Sequence, residues 1–184
     1  NSGIEPGGPD RLDGKEAERS PKPSTVAPKA PLPYSGQVTG KPRTVAEMFL
    51  DRVQKTPAAE AYRYPEGSGW RSLSWKEVAE RVRAVACGLR ALGLTNEQRC
   101  AILSGTRIEW ILADLGIVLA GGATTTVYPS TPSADCAYIL KDSAAVFVFA
   151  ENAEQVHKLV LERAALASVT KVIVFDGPAE PKAW

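Results

Sequence analysis

One run dominates what this chain can fold into: Arg99–Thr131, RCAILSGTRIEWILADLGIVLAGGATTTVYPST. It reads as a buried strand (Arg99–Leu103), a helix that is apolar almost all the way round (Arg107–Ala120), and a second strand (Thr124–Tyr128). A helix without a polar face must be covered on every side, which places it inside a sizeable α/β layer.

Downstream, short apolar runs alternate with helical patterns. Strands are predicted at Ala145–Phe149 and Lys171–Phe175, helices at Ser133–Lys141 and Ala153–Ala167. The strand starts lie about 21 to 26 residues apart, the spacing of β-α-β crossovers. VFVF and VIVF are continuously apolar, as parallel strands buried on both faces should be. Upstream, Ala61–Tyr64 and Trp70–Leu73 flank PEGSG and predict a hairpin. The fold class expected is α/β: a Rossmann-like, mostly parallel sheet with flanking helices and an N-terminal β-hairpin.

Three helix starts share one signature, a Ser or Thr followed three residues later by Glu: Thr44–Glu47, Ser74–Glu77 and Thr106–Glu109. In such a capping box the hydroxyl accepts from the third helical amide while the glutamate accepts from the cap amide. After Ser74, Trp75, Val78, Ala79, Val82, Val85, Ala86, Leu89 and Leu92 recur at steps of three and four, predicting an amphipathic helix that ends at Gly93. Gly121-Gly122 has the place of another helix end. Arg107 is the anomaly: a cation in a first helical turn opposes the macrodipole by about 0.3–1 kcal/mol. It calls for a carboxylate partner across the fold or a contact with a ligand or neighbouring domain.

Residues 1–42 hold eight of the 14 prolines and six of the 15 glycines, with Tyr34 their one aromatic. So few apolar side chains cannot offset the entropy of ordering, and a disordered Pro/Gly-rich leader is expected there. Residues 43–184 carry the globular pattern. With 22 basic against 21 acidic residues, no clustered basic face announces a nucleic-acid partner. The longest apolar stretch, Ile108–Ala123, is interrupted by Glu109 and Asp114 and falls short of the roughly 18–20 residues of a membrane span. Three widely spaced cysteines (Cys87, Cys100, Cys136) suit reduced thiols in a cytoplasmic protein.

No catalytic constellation stands out. The one histidine, His157, has no cysteine or carboxylate placed for a metal or a triad. Ser104-Gly105-Thr106 follows a strand and opens a helix, yet it lacks both G-x-G-x-x-G spacing and the Lys-Ser/Thr of a P-loop. Trp110, beside Ile111 and Leu112, reads most simply as core.

Three stretches in this order resemble the adenylate-forming acyl-CoA synthetases, and within them the long-chain fatty acid–CoA ligases. LSWKEV (Leu73–Val78) is similar to an early L-[ST]-[YW]-x-E-[LV] motif. ILSGTRIEW (Ile102–Trp110) resembles I-x-S-x-N-R-x-E-W, and LAGGATTTVYPST (Leu119–Thr131) resembles A-G-A-x-x-V-P-x-Y-x-T. DSAAVFVFAENAEQ (Asp142–Gln155) extends the likeness, which runs from about Thr44 to Gly177. Departures are Asn96-Glu97-Gln98-Arg99 in place of G-D-R-V, Thr106 in place of asparagine, and Pro129 after rather than before the tyrosine.

The resemblance implies a two-step reaction. A fatty acid carboxylate attacks the α-phosphate of ATP, with Mg2+, to give an acyl-adenylate and pyrophosphate; the thiol of coenzyme A then displaces AMP. It further implies that the segments carrying this chemistry lie beyond Trp184 in the remainder of the ligase chain, so this piece alone is expected to be inactive. Its own share would be scaffold, part of the acyl-pocket wall and, as in some members, a homodimer surface, in a cytoplasmic protein with a peripheral membrane location open to it. Arg107, Trp110 and Tyr128 are the candidates for pocket or interdomain contacts. The alternative is a non-catalytic Rossmann-like interaction or regulatory fragment.

Overall fold

The computed structural model describes Val38 and residues 40–177. The predicted leader therefore lies almost wholly outside the described residues. The chain runs α1 (Val45–Lys55), β1 (Glu60–Glu66), β2 (Gly69–Ser74), α2 (Trp75–Ala91), β3 (Arg99–Leu103), α3 (Ile108–Leu119), β4 (Ala123–Val127), α4 (Ser133–Asp142), β5 (Phe147–Ala150), α5 (Ala153–Leu161) and β6 (Lys171–Val174). A single 3-10 turn, Arg163–Ala165, takes up the end of the helix expected to run to Ala167.

β1 and β2 form the antiparallel hairpin; the other four strands form a parallel sheet in the order β4-β3-β5-β6. From β3 the chain moves to β4 on one side, then crosses to β5 on the other, so the strand order reverses between β3 and β5. Ligands of open α/β sheets sit at that reversal, outside the carboxyl ends of the strands.

Alternation along the strands divides the core into two layers. Cys100, Ile102, Phe147 and Phe149 face α1, α2 and α3; Ala101, Leu103, Val127 and Val148 face α4 and α5. Burial pushes the Cys100 thiol up to about 12, which leaves it a packed, unreactive side chain. β5 is buried at every position, as VFVF demands, whereas β6 is only half-buried.

The helix ends follow backbone physics. Thr44 and Ser74 form complete capping boxes with Glu47 and Glu77. At the end of α3, Gly122 N–H donates to the Ile117 carbonyl (2.9 Å) and Gly121 N–H to that of Val118 (3.0 Å). With Gly121 at φ 84°, this is a Schellman ending that L side chains resist. α3 crosses α2 at Gly116, where an added Cβ would stand 2.5 Å from Cγ1 of Val85.

Cover over α3 is incomplete. Ile108, Leu112, Ala113, Gly116, Ile117 and Leu119 are buried, while Trp110, Ile111, Leu115 and Val118 are half-buried. The hairpin and α1 flank the helix without closing on it. They leave two grooves, one reached by Ile111 and one by Leu115.

Candidate functional site

The β3–α3 loop lies at the strand-order reversal, and its geometry corrects the third capping box. The residue at the cap of α3 is Arg107, not Thr106; its backbone is extended (φ −148°, ψ 171°) and no side chain caps the helix. Thr106 is exposed. Glu109 turns its carboxylate to the guanidinium of Arg107, whose Nε donates to Oε2 at 2.6 Å. The guanidinium offers the carboxylate a full opposite charge as well as a donor, where a backbone amide offers a donor alone.

Arg107 joins the carboxyl ends of three strands. Its Nη1 and Nη2 grip both carboxylate oxygens of Asp176, just past β6; the Nη2–Oδ1 arm measures 3.0 Å. Glu151, the residue after β5, brings Oε1 to 3.9 Å from Nη1, while its Oε2 accepts from the Gly105 amide at 2.8 Å. The guanidinium stands 6.0 Å from the Phe175 ring centroid, and that ring packs on Phe149 at 5.8 Å. Donating hydrogen bonds to Asp176, then to Glu109, raises the Arg107 guanidinium above its ordinary range. Reciprocally, Arg107 holds the Asp176 carboxyl below its ordinary value. The anomaly of a cation at a helix start is resolved by carboxylates drawn from across the fold.

This arrangement does not suit a phosphate. Gly105, the loop amide positioned for an anion, is already bound by Glu151, and Glu109 and Asp176 complete a ring of negative charge. Among the described residues no group of three or more His, Cys, Asp or Glu side chains is placed to hold a metal ion. An open cleft of about 600 Å³ lies beside the cluster, between β1 and the start of α3. Tyr62, Tyr64, Arg107, Ile111 and Glu151 line it.

Of the three sequence candidates, Arg107 lines this cleft and the other two stand outside its lining. Trp110 is half-buried against the α1–α3 core. Tyr128 follows β4 and is 80% exposed. Sequence reasoning missed Glu151 and Asp176. Their signal was available: each is the first charged residue after an apolar parallel strand, at the end where such sheets place functional groups.

The family model described as AMP-binding enzyme matches residues 49–184. Long-chain-fatty-acid–CoA ligase ACSBG2 of Mus musculus is 29% identical over 133 residues, covering 72% of this chain and 20% of that protein. Long-chain-fatty-acid–CoA ligase FadD15 of Mycobacterium tuberculosis is 31% identical over 122 residues, covering 66% of this chain and 20% of that protein. The chain thus spans about a fifth of the length of the curated relatives it matches. Among solved structures, a Mycobacterium tuberculosis fatty acyl CoA synthetase superposes with a TM-score of 0.64 at 22% identity, over 71% of this chain and 26% of that one. That likeness is one of fold. With the family model spanning the sheet, its helices and part of α1, the chain belongs to the AMP-binding enzyme family.

Proposed function

We propose that residues 43–184 form the N-terminal subdomain of an AMP-forming long-chain fatty acid–CoA ligase, acting as scaffold and as part of the acyl-pocket wall. The observation that carries this reading is the coincidence of the matched segment, 49–184, with the doubly wound sheet and its Arg107 cluster. Relatives matched over 72% and 66% of this chain carry that activity in their names. The whole protein would join a fatty acid to coenzyme A while cleaving ATP to AMP and pyrophosphate.

Within this reading the described residues do not suit the phosphates of ATP or coenzyme A, because carboxylates occupy the loop where an anion would sit, and no group of three or more His, Cys, Asp or Glu side chains among them is placed to hold Mg2+. Those ligands are assigned to the remainder of the ligase chain. Arg107 holds the sheet's carboxyl edge in register, and exposed Tyr128 offers an aromatic contact for that remainder. Trp110 is a candidate for the pocket wall, being apolar and half-buried. A homodimer and a cytoplasmic location with peripheral membrane association belong to the same reading. No helix among the described residues is long and apolar enough to cross a membrane.

The test pairs two assays. A longer protein carrying this segment should release AMP when given palmitate, ATP, Mg2+ and coenzyme A. The 184-residue chain alone should catalyse no fatty-acid-dependent exchange of labelled pyrophosphate into ATP. Release of ADP in the first assay, or exchange in the second, contradicts the proposal.

A further inference from the structure

The second groove over α3, about 570 Å³ in volume, is floored by aromatic rings. Trp75 packs on Phe49 (ring centroids 6.3 Å) and on Tyr62 (5.9 Å), and Leu115 of α3 lines the same groove. Tyr62 also lines the cleft at Arg107. Met48 of α1 borders the groove at 61% exposure. The chain itself arrives here. Lys41 and Pro42 line the groove, and Val38 packs on the cluster that holds Phe49, against which Tyr62, Trp75 and Leu115 also lie. The residues just before Val38 read Pro31-Leu32-Pro33-Tyr34-Ser35-Gly36-Gln37. Two features of that run match the groove. Leu32 and Tyr34 are large apolar side chains in a leader otherwise poor in them. Pro31 and Pro33 carry no N–H, so this backbone leaves few donors unpaired when laid on an apolar surface. Proline-rich segments dock on aromatic-lined grooves in the same way. Tyr34 stands four positions before Val38, a reach of at most about 14 Å.

We propose that residues 31–34 of the same chain dock on the α1–α3 groove, with Leu32 and Tyr34 against Met48, Phe49 and Trp75. The short tether selects this occupant over the same segment of a second copy. A link of a few residues holds the segment at an effective concentration near millimolar, far above that of any other copy in dilute solution. Docking involves neither ATP, a fatty acid nor coenzyme A, so its fate is independent of the ligase reading.

Met48 is the chain's one methionine, which gives the groove its own probe. The 184-residue chain and its Leu32→Ser/Tyr34→Ser variant, both labelled with methyl-13C methionine, are compared by NMR and titrated with a synthetic peptide of residues 28–36. Both substitutions precede the first described residue, so a loss of docking is not confused with a loss of fold. The Met48 methyl resonance should differ between the two chains, and the peptide should return the variant's resonance toward that of the unaltered chain. The peptide should also bind the variant about tenfold more tightly than the unaltered chain. That is the factor expected when it competes with a tethered segment near millimolar and its own affinity is about 0.1 mM. The proposal is overturned if the two chains give the same Met48 resonance, or if the peptide binds both alike or neither. A resonance of the unaltered chain that moves on dilution overturns it too, by showing a second copy in the groove.

Discussion

At the start of α2, the capping side chains come from within four residues, while the Trp75 and Lys76 amides donate to the carbonyls of Ala59 and Pro57; at the start of α3, two of the three carboxylates on Arg107 come from the ends of two other strands. Ser74 Oγ accepts from the Glu77 amide at 3.3 Å and the Glu77 carboxylate accepts from the Ser74 amide at 2.7 Å. Arg107 reaches instead to Glu151 and Asp176, 44 and 69 positions along the chain. The Ser74–Glu77 box by itself stabilises a helix wherever it lies. The Arg107 cluster stabilises only this helix on this sheet, so it reports tertiary structure, and it sits where the sheet's topology favours function.

The comparison can be broken most forcefully where the two helices meet. Gly116→Ala places a Cβ 2.8 Å from that of Val85 and 2.5 Å from its Cγ1, on a short branched side chain with little room to yield. Overpacking of this kind should cost about 1–3 kcal/mol in urea unfolding. Arg107→Ala comes next. Charge-assisted bonds contribute about 1.5–3 kcal/mol when enclosed and surface pairs under about 1, so this part-exposed cluster should lose about 1–2 kcal/mol. Its loss should also speed hydrogen exchange in β6 more than in β3.

Smaller effects separate the two helix starts directly. Ser74→Ala should cost about 1 kcal/mol, the ordinary value of a lost cap, whereas Thr106→Ala should stay within about 0.5 kcal/mol. Equal losses at the two positions would restore the third capping box. Acid sharpens the contrast further. Glu77 and Asp176 both lie below their ordinary values, 4.5 and 3.8, the first through its bonds with Ser74 and the second through Arg107. Each contribution is therefore complete above the ordinary value and is lost as pH falls through the lower folded value. In Arg107→Ala the Asp176 part of this acid dependence should vanish and the Glu77 part remain, read as stability from about pH 5 to about pH 2.

What was legible in the sequence was what local physics decides. The alternation of strands and helices, the hairpin, two capping boxes and the Gly121-Gly122 ending all depend on contacts a few residues apart. The stripe on α2 held along the helix body, with Val78, Ala79, Val82, Ala86 and Leu89 buried, but failed at its end, where Leu92 is 48% exposed. Thr106–Glu109 was misread because a box is only the best local use of Glu109. A guanidinium two residues away made a better one, and that guanidinium was held by Asp176, whose nearness no local pattern reveals. The apolar circumference of α3 correctly marked a central helix, yet Ile111 and Leu115 open onto grooves whose shape depends on where α1 and the hairpin come to rest. Trp110 and Tyr128 stand in the resembling motifs, and a motif position alone does not distinguish a half-buried packing residue from an exposed one.

The most direct measurement is a double-mutant cycle between Arg107 and Asp176, with stability of the four proteins taken from urea unfolding. If α3 starts from the sheet's carboxyl edge, Arg107→Ala should cost clearly less in the Asp176→Asn background than in the wild type. Additive losses would mean that the two side chains stabilise the fold independently, and would contradict the cluster as the anchor of α3.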